Sequence, residues 1–445
     1  MRPKLKDIRI MERDMFRSDL SEIIDTEHKL VKLAGVINWE VLEELFGKTY
    51  SFDTGRPGIS TRLMVSLHYL KYAYNLSDVS VLEGWLENPY WQYFSGERRF
   101  QHTLPIDSSS MTRWRKRIGE AGAERLLQET IEAGLKIKAV KKSELKRLNV
   151  DTTVQEKSIR YPTDAGLYNR CRERLVEFAK ARGIKLRQNY NRIAKRLNYK
   201  QSRYIHARQM KRAGKCIKKL KTILGRVTRD IERKALSIDD KLKELLEISK
   251  RIYTMKRKDK NKIYSVHEPY VECISKGKAH KKYEFGCKVS VAATSRGGWF
   301  VGVKALHGNP YDGHTLSQTI KQVKHIAIEP EHIFVDRGYQ GHNYKGKATV
   351  HIDKTRRGNT SKSLWKWIKR RAAIEPGIGH LKQEHRLDKN RLKGILGDKI
   401  NAILSAVGMN FKKLLNWLAY FLRLFLKCRF NNSKNLTLSL LTLYL

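Results

Sequence analysis

A short β-rich stretch, Leu148-Asn-Val-Asp151-Thr-Thr-Val154, is followed by a basic helical pattern over residues 165–260, and strand-like sequence resumes only beyond it. Tyr161-Pro-Thr-Asp164 stops the first strand and places Asp164 to cap the helical region. Past residue 260, Tyr283 to Ala293 and Trp299 to Leu306, separated by Ser295-Arg-Gly-Gly298, read as a β-hairpin. Asn309-Pro-Tyr-Asp312 then leads into a helix through Leu316, Ile320 and Val323. His332-Ile-Phe-Val-Asp336 is a buried strand ending in an aspartate, Ala348 to Ile352 a further strand, and Leu364 to Gln383 a helix. The order β, helical insert, β, β, α, β, β, α predicts a mixed α/β domain, residues 141–164 and 261–395, interrupted by an insert at 165–260.

Charge says what such an insert faces. Residues 165–260 hold 31 lysines and arginines against 9 acidic residues, within a 445-residue chain of formal charge +46. Ile217, Leu220, Leu224, Val227 and Ile231 step by 3, 4, 3 and 4, the seam of a helical hairpin or coiled-coil-like insert. So much like charge needs a polyanion: nucleic acid first, an acidic membrane surface second. With 40% hydrophobic residues the chain can bury a core. Five scattered cysteines without a CxxC pair suggest neither a zinc ribbon nor a disulfide framework and fit a reducing compartment. The N-terminus lacks a signal-peptide stretch, and the most apolar region, Ile400 to Leu426, is cut by Lys412, Lys413 and Arg423, so no membrane span is expected.

Before the first strand, residues 1–50 read as a helical segment and 51–140 as a helical domain. Gly55-Arg56-Pro57-Gly58 is a turn, Thr61 to Tyr74 and Ser77 to Leu86 carry helical periodicity, and Asp107-Ser-Ser-Ser offers caps to a basic helix ending at Ile118. This is the layout of a helix-turn-helix-like all-α module whose second helix enters a DNA groove, with Arg113, Arg115, Lys116 and Arg117 as candidate DNA contacts and Trp114 packed inward. Residues 396–445 read as a C-terminal helix and tail.

Two aspartates stand out in this pattern: Asp151 lies inside one apolar strand and Asp336 ends another. An ionised aspartate there is costly unless paired or bound to a cation. Glu375 joins them from a later helix, with Arg371 four residues before it and Lys382 on the same face. Pro376 is expected to bend that helix and aim the glutamate inward.

NVDTTV, FVDRGYQG and RAAIEPGIGHLK resemble the DDE triad segments of bacterial insertion-sequence transposases, in particular family five of the wider family-four-like group. YPTDAGLY (161–168), VECISKGKAHKKYEFG (271–286) and GNPYDGHTL (308–316) match in the same order, so the resemblance spans about residues 55–415. It departs at Ile368, where the wider group often carries a tyrosine. The resemblance implies a ribonuclease H-like mixed sheet flanked by helices. Asp151, Asp336 and Glu375 would be catalytic and would ligate two Mg²⁺ ions, with Mn²⁺ a possible substitute, while Arg371 and Lys382 grip DNA phosphates. It also implies double-stranded DNA partners, namely the terminal inverted repeats and a target, a homodimer or larger synaptic complex, and a cytoplasmic, nucleoid-associated bacterial protein. His380 and His385 are read as surface or DNA contacts. A stand-alone nuclease with the same centre and a non-catalytic DNA-binding regulator are the alternatives.

Overall fold

The first predicted strand becomes the middle of a seven-stranded sheet in the computed structural model, which describes residues 18–51, 58–235, 239–256, 258–275, 281–354 and 356–441, with side chains to residue 420. The expected turn at Gly55 to Pro57 and part of the 271–286 segment lie outside the described residues. Seven helices come first: α1 Leu20–Ile23, α2 Lys29–Val36, α3 Trp39–Gly47, α4 Thr61–Ala73, α5 Asp78–Glu87, α6 Pro89–Phe94 and α7 Ser108–Lys136. Asp107 caps α7 by accepting from the Ser109 N–H, and Gly119, at φ 64° and ψ −161°, breaks the helix into two arms.

After α7 come β1 (Arg147–Lys157) and four helices, α8 Asp164–Ala181, α9 Asn191–His206, α10 Met210–Lys234 and α11 Asp240–Thr254. The cap of α8 is Thr163, whose Oγ1 accepts from the Gly166 N–H at 3.2 Å; Asp164, the expected cap, is the first helical residue. The predicted seam on α10 is buried, with Leu220, Leu224, Val227 and Ile231 packed against Leu175, Leu242 and Ile252. It therefore closes a four-helix unit with its own core rather than a two-helix hairpin or coiled coil, because α8 and α11 also present apolar stripes to it.

The chain returns through β2 (Glu272–Ser275), β3 (Tyr283–Thr294), β4 (Phe300–Leu306), α12 (Asp312–Ile326), β5 (His332–Val335) and β6 (Thr349–Ile352). β3 runs antiparallel to β1 and β4 antiparallel to β3, whereas β5 is parallel to β1 and β6 parallel to β5. The order is β4-β3-β1-β5-β6, with β2 alongside the start of β3. The hairpin turn closes through Thr294 and Trp299, and Gly298 supplies the positive φ it requires.

The single helix expected from Leu364 to Gln383 is instead α13 (Lys362–Arg370), a 3-10 turn (Arg371–Ala373) and α14 (Ile374–Glu384). Pro376 is the third residue of α14, where a missing N–H costs little, so it does not itself break the helix; the break lies at the 3-10 turn before it. A two-residue strand, β7 (Lys389–Asn390), pairs with the end of β1, and α15 (Gly394–Leu441) follows.

α15 is the spine that joins the N-terminal helices to the sheet. Tyr69 of α4 stacks on Phe411 at 5.0 Å, the Tyr72 hydroxyl donates to Asn401 at 3.0 Å, and Asn410 brackets Phe300 of β4, giving 2.8 Å to its carbonyl and taking 3.1 Å from its N–H. A Cβ at Gly408 would fall 2.5 Å from the Tyr72 backbone, so glycine permits the close crossing of α15 and α4. One continuous core thus runs from Leu30 through Val150 and Val291 to Leu415. Among the described residues no helix is long and apolar enough to cross a membrane.

Candidate active site

The register of β1 and β5 brings two carboxylates abreast. Leu148 lies opposite Ile333 and Asn149 opposite Phe334, so two residues further along the parallel pair Asp151 and Asp336 reach the same level of the sheet. Asp151 is 17% exposed, and its Oδ1 accepts the Thr152 N–H at 2.7 Å. Asp336 sits where β5 gives way to the 3-10 turn Arg337–Tyr339.

Glu375 arrives from the other side. Asn149 of β1 donates to the Arg370 carbonyl at 3.1 Å, pinning the end of α13 over the strand and setting where α14 begins. The Arg371 guanidinium then stands between carboxylates, with Nη1 3.8 Å from Asp151 Oδ2 and Nη2 3.3 Å from Glu375 Oε1. Contrary to the inward aim expected from Pro376, Glu375 is 61% exposed, because it occupies the outer side of the first turn of α14. Lys382 lies near the far end of the same helix, partly buried.

Whether these residues suit a hard cation is decided by their donors and by the space between them. All three donors are carboxylates, the ligands Mg²⁺ prefers. The space beside Asp336 is kept open by Gly338, where a Cβ would lie 3.1 Å from Asp336 Oδ1 and 3.4 Å from Asp312 Oδ2. The Arg371 guanidinium stands between two of the acids and would compete with a cation held there. By donor type alone, three carboxylates suit a hard cation. The tightest cluster of possible metal ligands among the described residues is elsewhere: Cys287, His307 and Asp398, with ligand atoms within 4.8 Å of one another. There the Lys157 ammonium, 2.7 Å from Asp398, already neutralises the acid.

Three residues around the centre were not singled out from the sequence. Asp312, the first residue of α12, accepts from Thr152 Oγ1 and from Lys288 Nζ, both at 2.9 Å. Lys288 was the available signal, a lysine in the apolar run of β3. Tyr339 is fully buried, and burial first, then the charge of Asp151, push its hydroxyl pKa well above the usual range.

The Transposase DDE domain family matches residues 254–411, which include Asp336, Arg371 and Glu375, and the Transposase domain (DUF772) family matches residues 18–117. The chain belongs to the insertion-sequence DDE transposases. It is also 52% identical over 198 residues to the Uncharacterized protein ORF8 in nfe locus of Rhizobium meliloti, an alignment covering 44% of this chain and 95% of that protein. No solved structure matches the transposase.

The first arm of α7 divides the transposase's four candidate DNA contacts. Arg113, Lys116 and Arg117 are exposed, Arg113 donating to Ser110 and Arg117 lying over the Tyr50 ring at 4.1 Å. Arg115 is not available to a base: it is 3% exposed and forks onto both Asp78 oxygens at 2.8 and 2.6 Å. Trp114 is buried as expected, against Phe46 and His68. The helix turns Met111, Trp114, Arg115 and Ile118 toward the core, and the charge of Arg115 is matched there by an acid from α5. Nor is His385 the surface or DNA contact expected: it is buried, with Nδ1 2.8 Å from the Tyr72 carbonyl, whereas exposed His380 pairs with Glu384.

Proposed function

We propose that this transposase binds the terminal inverted repeats of its element, cleaves DNA in a Mg²⁺-dependent reaction and joins the resulting 3′-hydroxyl ends to target DNA. The observation that carries the reading is the parallel register setting Asp151 beside Asp336, with Arg371 linking Asp151 to Glu375. The strand order β4-β3-β1-β5-β6, with its first three strands antiparallel and the last two parallel to β1, supports a ribonuclease H-like catalytic domain.

Asp151, Asp336 and Glu375 would hold two Mg²⁺ ions, or Mn²⁺ in their place, and these would supply activation of the attacking oxygen and charge stabilisation on the leaving oxygen. The protein's own residues do the rest. Arg371, already poised beside two carboxylates, binds the phosphate next to the scissile bond, and Lys382 holds the strand farther along α14. Exposed Arg113, Lys116 and Arg117 read or grip the element ends as the second helix of a helix-turn-helix-like unit. The basic α8–α11 unit lies along flanking phosphates, and two or more copies pair the ends in a synaptic complex.

A strand-transfer assay on a duplex carrying the element end tests this. Nicking and a joined product in Mg²⁺, both lost with chelator, are expected. Cutting without joining would make the protein a nuclease, and end binding without cutting a regulator.

A further inference from the structure

Thr152 makes two bonds that tie separate parts of the molecule to the candidate cation site. Its backbone N–H donates to Asp151 Oδ1 at 2.7 Å, and its hydroxyl donates to Asp312 Oδ1 at 2.9 Å. Asp312 is itself gripped from β3: Lys288 Nζ, on a side chain 10% exposed, lies 2.9 Å from the same oxygen and donates to the Pro310 carbonyl at 2.7 Å. Lys288 stands opposite Val154 in the β1–β3 ladder, so it shares a sheet face with Thr152 two residues away. The second Asp312 oxygen faces the gap at Gly338 that Asp336 borders from the other side. Asp312 therefore abuts one catalytic candidate through Thr152 and another across Gly338, and Lys288 offsets the repulsion that a further carboxylate would otherwise exert there.

We infer that Asp312 is a positioning residue of the cation site, fixing Asp151 through Thr152, with Lys288 as its built-in counter-charge. The inference rests on the proposal that Asp151, Asp336 and Glu375 hold the cations. Outer partners of this kind set the orientation of the ligands they touch, and their loss lowers metal affinity by roughly 10–100-fold.

The test is Mn²⁺ binding to the full chain without DNA, followed by electron paramagnetic resonance, with circular dichroism confirming that each variant folds. Asp312→Asn and Thr152→Val should each weaken Mn²⁺ binding by roughly 10–100-fold, and the double variant should lose little more than either alone. Thr152→Ser keeps the hydroxyl but loses the methyl group, and should bind as the parent does. A packing role gives the reverse order, since valine preserves the shape of threonine and serine does not. The positioning role alone is overturned if Asp151→Asn weakens binding while Asp312→Asn and Thr152→Val do not, or if Thr152→Ser falls as far as Thr152→Val. If Asp151→Asn binds Mn²⁺ like the parent, the carboxylate site falls and the positioning role with it.

Discussion

Arg371 Nη1 lies 3.8 Å from Asp151 Oδ2, so the charge of the aspartate on the central strand is balanced by a residue of the 3-10 turn between α13 and α14. A guanidinium there competes with a bound cation while standing ready for a phosphate. Arg371→Gln should therefore lower the Mg²⁺ concentration needed for half-maximal cleavage by a few-fold and reduce the maximal rate. A Mg²⁺ titration of nicking on an end-bearing duplex separates the two effects, and a raised Mg²⁺ requirement would count against the arrangement.

Asp151→Asn, Asp336→Asn and Glu375→Gln each remove one candidate ligand charge and almost no volume. Cleavage should fall by about a hundredfold or more in each, while retardation of the element end in a gel stays near that of the parent. A variant that still cut at the parent's rate would take its residue out of the site.

Arg115 and its neighbours on α7 should separate by assay. Removing one member of a buried charge pair costs about 3–5 kcal/mol, and Arg115→Met leaves Asp78 with Lys71 alone, 2.6 Å away. Urea denaturation should show a loss toward the lower end of that range. Arg113→Ala, Lys116→Ala and Arg117→Ala should leave stability within about 0.5 kcal/mol. They should weaken end binding instead, and competition against a scrambled duplex tells base readers from phosphate grippers.

His68 sets an acid limit on the N-terminal helices. It is fully buried beside Arg115, and burial first, then that charge, lower its pKa to about 3. The unfolded chain takes up this proton near pH 6.5 and the folded chain only near pH 3, so the unfolded state binds more protons in between and stability falls as pH drops through that window. The slope from this one group is at most about 1.4 kcal/mol per pH unit and ends below about pH 3. His68→Gln should flatten the limb between those two values in urea melts recorded across pH; an unchanged limb would assign the acid sensitivity to other groups.

The basic insert is better probed by charge than by deletion, since removing it would expose Ile263 and Val266, which belong to its core. Lys211, Lys215, Lys218 and Lys219 are exposed on α10. Changing all four to glutamine should reduce the slope of log affinity against log salt by about 0.9 for each phosphate that is no longer neutralised. An unchanged slope in fluorescence anisotropy would show that this face of α10 points away from DNA.

Periodicity, charge and the cost of an aspartate in an apolar strand are local properties, and the sequence alone determined what depends on them: the strand around Asp151, the β3–β4 hairpin, the strand ending at Asp336 and the basic insert. The environment of a side chain is set instead by elements distant along the chain. Only the tertiary structure showed that Arg115 turns inward, because its partner Asp78 arrives on another helix. The break before Glu375 falls at Arg371–Ala373, because Asn149 of a remote strand holds the Arg370 carbonyl there. Asp312 acquires its place through Lys288 and Thr152, on two strands separated by the whole insert, and no window of sequence contains all three.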